Sequence, residues 1–285
     1  MTDAPRSYSL PLAQGELSEK DARELQLLKE QIRHDVGFYC DGYKEHCLRR
    51  RIAVRMRARG IHSYSEYATL LRADAQEYQK LRDAVTINVS KFYRNPEVWG
   101  ILEEKIVPGL FQADRDIRIW SAGCAAGEEP YSIAILLREY AQRTNQLDRL
   151  PRFDVLGTDI DYASLQTAQR AEYNAFAFTD IPHAIREAWF EPPRLARVKP
   201  EIREAVRFET RDLITDEFGG PYDVIFCRNV VIYFERAVQE ALFAKFHAAL
   251  GPGGILVLGK VETLFGRSAA LFGPVSQRER VFIKR

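Results

Sequence analysis

The sequence predicts an α/β protein: an open, mostly parallel sheet covered by helices, preceded by a small all-helical domain. Two observations carry this. From Ile117 to the C-terminus, short apolar runs alternate with amphipathic stretches, the pattern of parallel strands joined by crossover helices. From Glu19 to Val89, apolar residues recur every three to four positions and no strand-like run interrupts them. The chain of 285 residues is long enough for one large and one small domain.

Residues 1–17 are polar and proline-containing and read as a flexible arm. Residues 18–89 read as the helical domain. Leu25, Leu28 and Ile32 mark one helix, Leu48, Ile52 and Met56 a second, and Tyr67, Leu70 and Leu71 a third. Gly60 ends the second, and Ser63 or Ser65 can cap the third. The rest, 90–285, reads as the α/β domain. IRIWSAG is a strand entering a glycine turn, and EEPYSIAILLREYAQ is a helix. FDVLGTDID is a strand ending in acids, followed by the helix YASLQTAQRAEY. VRFETRDL and the start of YDVIFCRNVVIYF are strands. RAVQEALFAKFHAAL is a helix, and ILVLG and RERVFIKR are the last strands. The proline-rich stretch 182–206 interrupts the alternation and reads as an insert with one helical piece and a small hairpin.

Composition narrows the function. At 46% hydrophobic and 28% charged residues the chain has an ordinary globular profile. The net charge of +1 provides no global field for nucleic acid. No apolar run approaches the roughly 20 residues of a membrane span, and the N-terminus lacks a signal-peptide core. The four cysteines form no CxxC pair and the five histidines no HExxH, so no metal is expected. Scattered free thiols suit the cytoplasm.

In an open parallel sheet the ligand lies beyond the carboxyl ends of the strands. Those ends fall at Ser121–Gly127, Thr158–Asp159, Arg211–Leu213 and Cys227–Asn229. Gly123 and Gly127 make a tight loop, and Asp159, 32 residues after Gly127, can accept ribose hydroxyls. This fits a nicotinamide dinucleotide or S-adenosylmethionine (SAM). Glu128 and Glu129 favour the second. A pyrophosphate at the helix N-terminus would meet two carboxylates, whereas the sulfonium and ammonium of SAM are cations that an acid can hold.

The motifs NVSKFYRN (88–95), GCAAGEEPYSIA (123–134), TDID (158–161) and FCRNVVIYF (226–234) together resemble the chemoreceptor glutamate methyltransferase (CheR) family. The resemblance runs from about residue 20 to the C-terminus. It implies a Rossmann-like SAM-dependent methyltransferase sheet with a helical N-terminal domain and a small inserted β-subdomain. It places SAM contacts at Asn88, Ser90, Arg94, Glu129, Asp159, Asp212, Leu213, Arg228 and Asn229. Ser90 stands where the family has threonine and keeps the hydroxyl. Asp212 stands where it has asparagine and keeps an acceptor. Arg94 and Tyr233 are implied in the catalytic site.

The implied reaction is methyl transfer to glutamate carboxylates of chemotaxis receptors, releasing S-adenosylhomocysteine (SAH). A glutamate is ionised at neutral pH, with a reference pKa of about 4.3, and needs no general base. What it needs is desolvation and aim. Arg94 can bind a carboxylate through two N–H groups and Tyr233 can donate one more. Lys44, Arg51, Arg55 and Arg59 fall on one helical stripe suited to an acidic receptor helix. The expected partner is the cytoplasmic helical region of chemoreceptors, with no nucleic acid and no membrane insertion, and the chain is expected to be a monomer. The insert is short for gripping a receptor C-terminal peptide, so that tether is not expected. The rival readings are a non-catalytic SAM-binding regulator of a chemosensory array and a methyltransferase for RNA or a small molecule.

Overall fold

The computed structural model describes residues 16–86, 89–194 and 196–285. Nearly all of the expected arm, and Asn88 among the expected cofactor residues, lie outside the described residues. The chain divides into two compact units, Met1–Ile87 with Tyr233–Glu235, and Asn88–Ile232 with Arg236–Arg285. Among the described residues no helix is long and apolar enough to cross a membrane.

The first unit is helical: α1 (Glu19–Val36), α2 (Glu45–Ala58), α3 (Tyr64–Ala73) and α4 (Ala75–Val85). The caps follow from local chemistry. Ser18 accepts the Asp21 N–H at the start of α1, and Gly37, at φ 68°, closes it. Ser63 caps α3 by accepting the Glu66 N–H. Such a cap contributes about 1 kcal/mol. Leu25, Leu28, Ile32, Leu48, Ile52, Met56, Tyr67 and Leu71 are buried, as the periodicity requires. Leu70 is only half-buried. Because α3 begins at Tyr64, its inner face falls on Tyr64, Tyr67, Ala68 and Leu71. Tyr233–Glu235 belongs to this unit by backbone pairing. The Lys44 N–H donates to the Tyr233 carbonyl, and the Glu235 N–H to that of Gly42.

The second unit begins with α5 (Pro96–Ile101) and α6 (Val107–Gln112). It continues through β1 (Ile117–Ala122), α7 (Glu128–Thr144), β2 (Phe153–Asp159), α8 (Tyr162–Arg170), α9 (His183–Trp189), α10 (Pro200–Arg203) and β3 (Val206–Thr210). Then follow β4 (Tyr222–Cys227), α11 (Arg236–Ala249), β5 (Leu250–Leu258), α12 (Ser268–Leu271), β6 (Phe272–Ser276) and β7 (Val281–Lys284). The seven strands form one sheet in the order β3-β2-β1-β4-β5-β7-β6. β3, β2, β1, β4 and β5 pair in parallel. β7 pairs antiparallel with β5 and with β6. β6 escapes the sequence reading because Gly273 and Pro274 look like a turn. Pro274 is tolerated because β6 is an edge strand, where a missing donor costs no ladder bond.

This order sets the site. From β1 the chain builds outward through β2 and β3 on one side, then returns to build β4 and β5 on the other. The crevice beyond the carboxyl ends of β1 and β4 is the topological switch point, where open α/β sheets hold ligands. The inserted region carries its β character in two isolated bridges, Glu172 with Arg197 and Phe190 with Val198, around α9 and α10. Its Pro192–Pro193 pair shortens any strand, and an aromatic cluster holds it instead. Phe92 lies edge-on to Tyr173 and Phe190 at centroid distances of 4.8 and 4.9 Å.

Candidate cofactor site

The loop after β1 is built around its glycines. Gly123 has φ 76°, and a Cβ there would lie 2.5 Å from Val230 Cγ2. Gly127 has φ 92°, and a Cβ would lie 2.8 Å from that of Ala168. Both the left-handed backbone and the close approach exclude larger residues. Between them Ala125 is held at φ 49°. Its N–H donates to Asp159 Oδ2 at 2.8 Å, and the Asp161 N–H donates to Asp159 Oδ1 at 2.9 Å. Asp159 thus ties the β1 and β2 loops together, while each oxygen keeps a lone pair for a further donor. Burial pushes its carboxyl up to about 6, against the lowering effect of the Asp161 and Ala125 N–H groups.

The two acids opening α7 have different surroundings. Glu129 is committed within the unit: Ser121 Oγ donates to Oε1 at 2.7 Å, and Arg228 Nη1 donates to Oε2 at 3.3 Å. Glu128 is 6% exposed, and its Oε2 has no hydrogen-bond partner. Burial pushes it up to about 7, although a hydrogen bond with Ser90 counteracts the shift. Sequence spacing identified the pair of acids but not this division of labour, which depends on Ser121 and Arg228 arriving from β1 and β4.

Arg228 and Asn229 follow β4. Nη2 of Arg228 donates to the Arg94 carbonyl at 2.9 Å and to Asn95 Oδ1 at 3.1 Å. Arg94, two residues before α5, is half-buried and donates through Nη1 to the Val89 carbonyl at 2.9 Å. Thus Arg94, Glu129 and Arg228 come together through direct contacts, while Ser90 meets the neighbouring Glu128. Asn229 sits at φ 62° with a buried Oδ1 that has no partner. Asp212 opens a turn beyond β3, its Oδ1 accepting the Ile214 N–H at 2.8 Å. Burial raises its pKa. The neighbouring Leu213 is buried.

The fit to SAM can be tested on these atoms. Glu128 Oε2, Asn229 Oδ1 and Arg228 Nε are buried without partners. They lie at the start of α7 and just after β4, and two of the three are acceptors. A ligand carrying cationic and N–H donors satisfies such acceptors; a pyrophosphate does not. The residues therefore fit the cofactor. The sequence reading missed Glu262, whose buried carboxylate binds the β4 loop. The signal was available: an acid three residues after Gly259, at the carboxyl end of β5.

The α2 stripe lies in the helical unit. Lys44 precedes the helix as its N-cap residue. Arg55 makes two hydrogen bonds to Glu77, both 2.9 Å, and Arg59 approaches Glu77 and Asp74 at 3.7 and 3.3 Å. Arg51 is half-buried. Much of the stripe is therefore engaged by α4 and its capping residue. Arg50 and Arg57, which the periodicity did not single out, are exposed. Tyr233 ends a one-turn helix, Val231–Tyr233, and is grouped with the helical unit.

Comparison with known proteins agrees with the site. A family described as CheR methyltransferase, SAM binding domain, matches residues 88–281, and one described as CheR methyltransferase, all-alpha domain, matches 23–86. A chemotaxis protein methyltransferase of Listeria innocua is 33% identical, over 82% of this chain and 87% of that protein. Chemotaxis protein methyltransferase 1 of Pseudomonas aeruginosa is 29% identical, over 85% of this chain and 90% of its own. The acid-lined switch point, the matched domains and this extended similarity have one reading: the chain belongs to the CheR methyltransferase family and takes S-adenosylmethionine as its cofactor.

Proposed function

We propose that this protein transfers a methyl group from SAM to glutamate side chains of chemotaxis receptors, giving glutamate methyl esters and SAH. The observation that carries the reading is the pairing of an acceptor-rich cofactor crevice with a guanidinium beside it. Among the described residues, Arg94 is accounted for by one N–H, to Val89. Its other donors suit a carboxylate.

The bound cofactor supplies an electrophilic methyl on a sulfonium. Asp159 would accept the ribose hydroxyls with its remaining lone pairs, and the Glu129 and Glu128 carboxylates would hold the cationic part. Asp212 and Leu213 would border the adenine, and Asn229 would offer its unpartnered Oδ1 to the cofactor. That methyl would pass to a substrate carboxylate oxygen, the new C–O bond replacing the methyl–sulfur bond whose electron pair stays on sulfur. No proton moves, so the chain's residues need only orient the carboxylate and exclude water. Arg94 performs the first task. The part given to Tyr233 rests on the signature motif. An acidic receptor helix has exposed cations to meet on α2, Arg50 and Arg57, beside the engaged Arg55 and Arg59.

The test is methyl transfer from labelled SAM to receptor-containing membranes, followed by alkali. Label on a receptor-sized band that is released as methanol supports carboxyl methylation. Alkali-stable label assigns a different acceptor atom. SAH binding without transfer would make the protein a regulator and end the enzymatic reading.

A further inference from the structure

We propose that Glu262 is a positioning residue for the cofactor site, holding the loops after β4 and β5 together so that Arg228 and Asn229 face the crevice. The inference rests on the SAM reading above. Glu262 is 2% exposed. Its Oε2 accepts the N–H groups of Asn229 at 3.0 Å and of Gly259 at 2.5 Å, and its Oε1 accepts that of Val230 at 2.9 Å. The Ile232 N–H adds a further bond. The partners are all backbone donors, and they lie on two loops that leave adjacent parallel strands.

The arrangement has a directional consequence. Asn229 adopts a left-handed conformation that asparagine tolerates better than most residues but that still costs energy. Fixing the N–H groups of Asn229 and Val230 on one carboxylate stabilises that turn. It leaves Asn229 Oδ1 buried and unpartnered. The turn also orients Arg228, which reaches Glu129 and the Arg94 carbonyl. A neutral side chain cannot replace the carboxylate, because both oxygens are used as acceptors and an amide would present N–H to N–H. Burial raises the Glu262 pKa against the lowering effect of these same N–H groups.

A second feature points to the same junction. Gly259 has no room for a side chain: a Cβ would stand 2.8 Å from both the Asn229 nitrogen and Glu262 Oε2. Gly259→Ala therefore strains the same clamp without removing the carboxylate.

The experiment is SAH titration calorimetry on the full chain, wild type beside Glu262→Gln and Gly259→Ala, with steady-state transfer kinetics. Wild type that binds no SAH overturns the SAM reading itself, before any variant is considered. Given wild-type binding, Glu262→Gln is expected to weaken SAH at least tenfold and to raise the KM for SAM. The KM for receptor should stay within twofold, a split that general loosening of the fold would not produce. Gly259→Ala should shift SAH affinity in the same direction, and it decides the matter if Glu262→Gln does not fold. A folded Glu262→Gln binding SAH within twofold of wild type overturns the inference, as does an unchanged Gly259→Ala where the first variant is unfolded.

Discussion

Asp159 and Glu128 are acids that hold protons more tightly in the folded chain than their ordinary values of 3.8 and 4.5 would allow, up to about 6 and about 7. The unfolded chain therefore binds fewer protons than the folded one between those values. These two groups make the ligand-free protein less stable as pH rises from about 4 to about 7. SAH reverses the preference, because its ammonium and its ribose hydroxyls are donors to ionised acids. SAH affinity is then expected to fall from pH 8 to pH 5, by about tenfold if Asp159 alone must be ionised and by about a thousandfold if Glu128 must be ionised as well. Calorimetry across that range checks this, and a flat profile would mean that neither acid faces the ligand. Asp159→Ala goes further. It removes the proposed ribose acceptor and frees the Ala125 N–H, so SAH binding should be lost, and an unchanged affinity would remove Asp159 from the site.

At the scale of elements, α2 and α4 show how periodicity finds a face but not what covers it. The spacing of Lys44, Arg51, Arg55 and Arg59 defines one stripe. Glu77, fully buried on α4, takes two hydrogen bonds from Arg55 and one from the Tyr67 hydroxyl. A tertiary pairing of this kind leaves no trace in the spacing of either helix. Glu77→Ala would leave the Arg55 guanidinium without its buried partner, at a cost of about 3 kcal/mol. Hydrogen exchange should show it as faster exchange of α2 and α4 amides, and unchanged protection would make the pair incidental. The strands were legible for the opposite reason. β1, β2 and β4 are buried on both faces and read as apolar runs. β6 did not, because an edge strand needs neither the alternation nor the donors that make a strand visible. Glu262 went unseen because the ligand-facing strand ends were followed only as far as Cys227–Asn229, one strand short of β5.

Across the whole molecule, the order of helical and α/β segments was legible, but the return of Tyr233–Glu235 to the helical unit was not. Local pattern shows how a segment folds, while the choice of partner for a three-residue segment depends on backbone donors at Lys44 and acceptors at Gly42, far away in sequence. The two units have distinct cores, helical packing in one and a sheet-centred cluster in the other. A ligand held by the strand ends binds only the folded form of the α/β unit. At a hundredfold excess over its Kd, SAH stabilises that form by about 2.7 kcal/mol. For a unit of this size that is a rise of roughly 5–10 °C in Tm. Calorimetry with and without SAH should therefore show the α/β transition moving up while the helical transition holds its temperature. A joint shift of both would mean that the units unfold as one cooperative body. Failure of either to move would remove the ligand from the strand ends, and with it the reason for two acids at the start of α7.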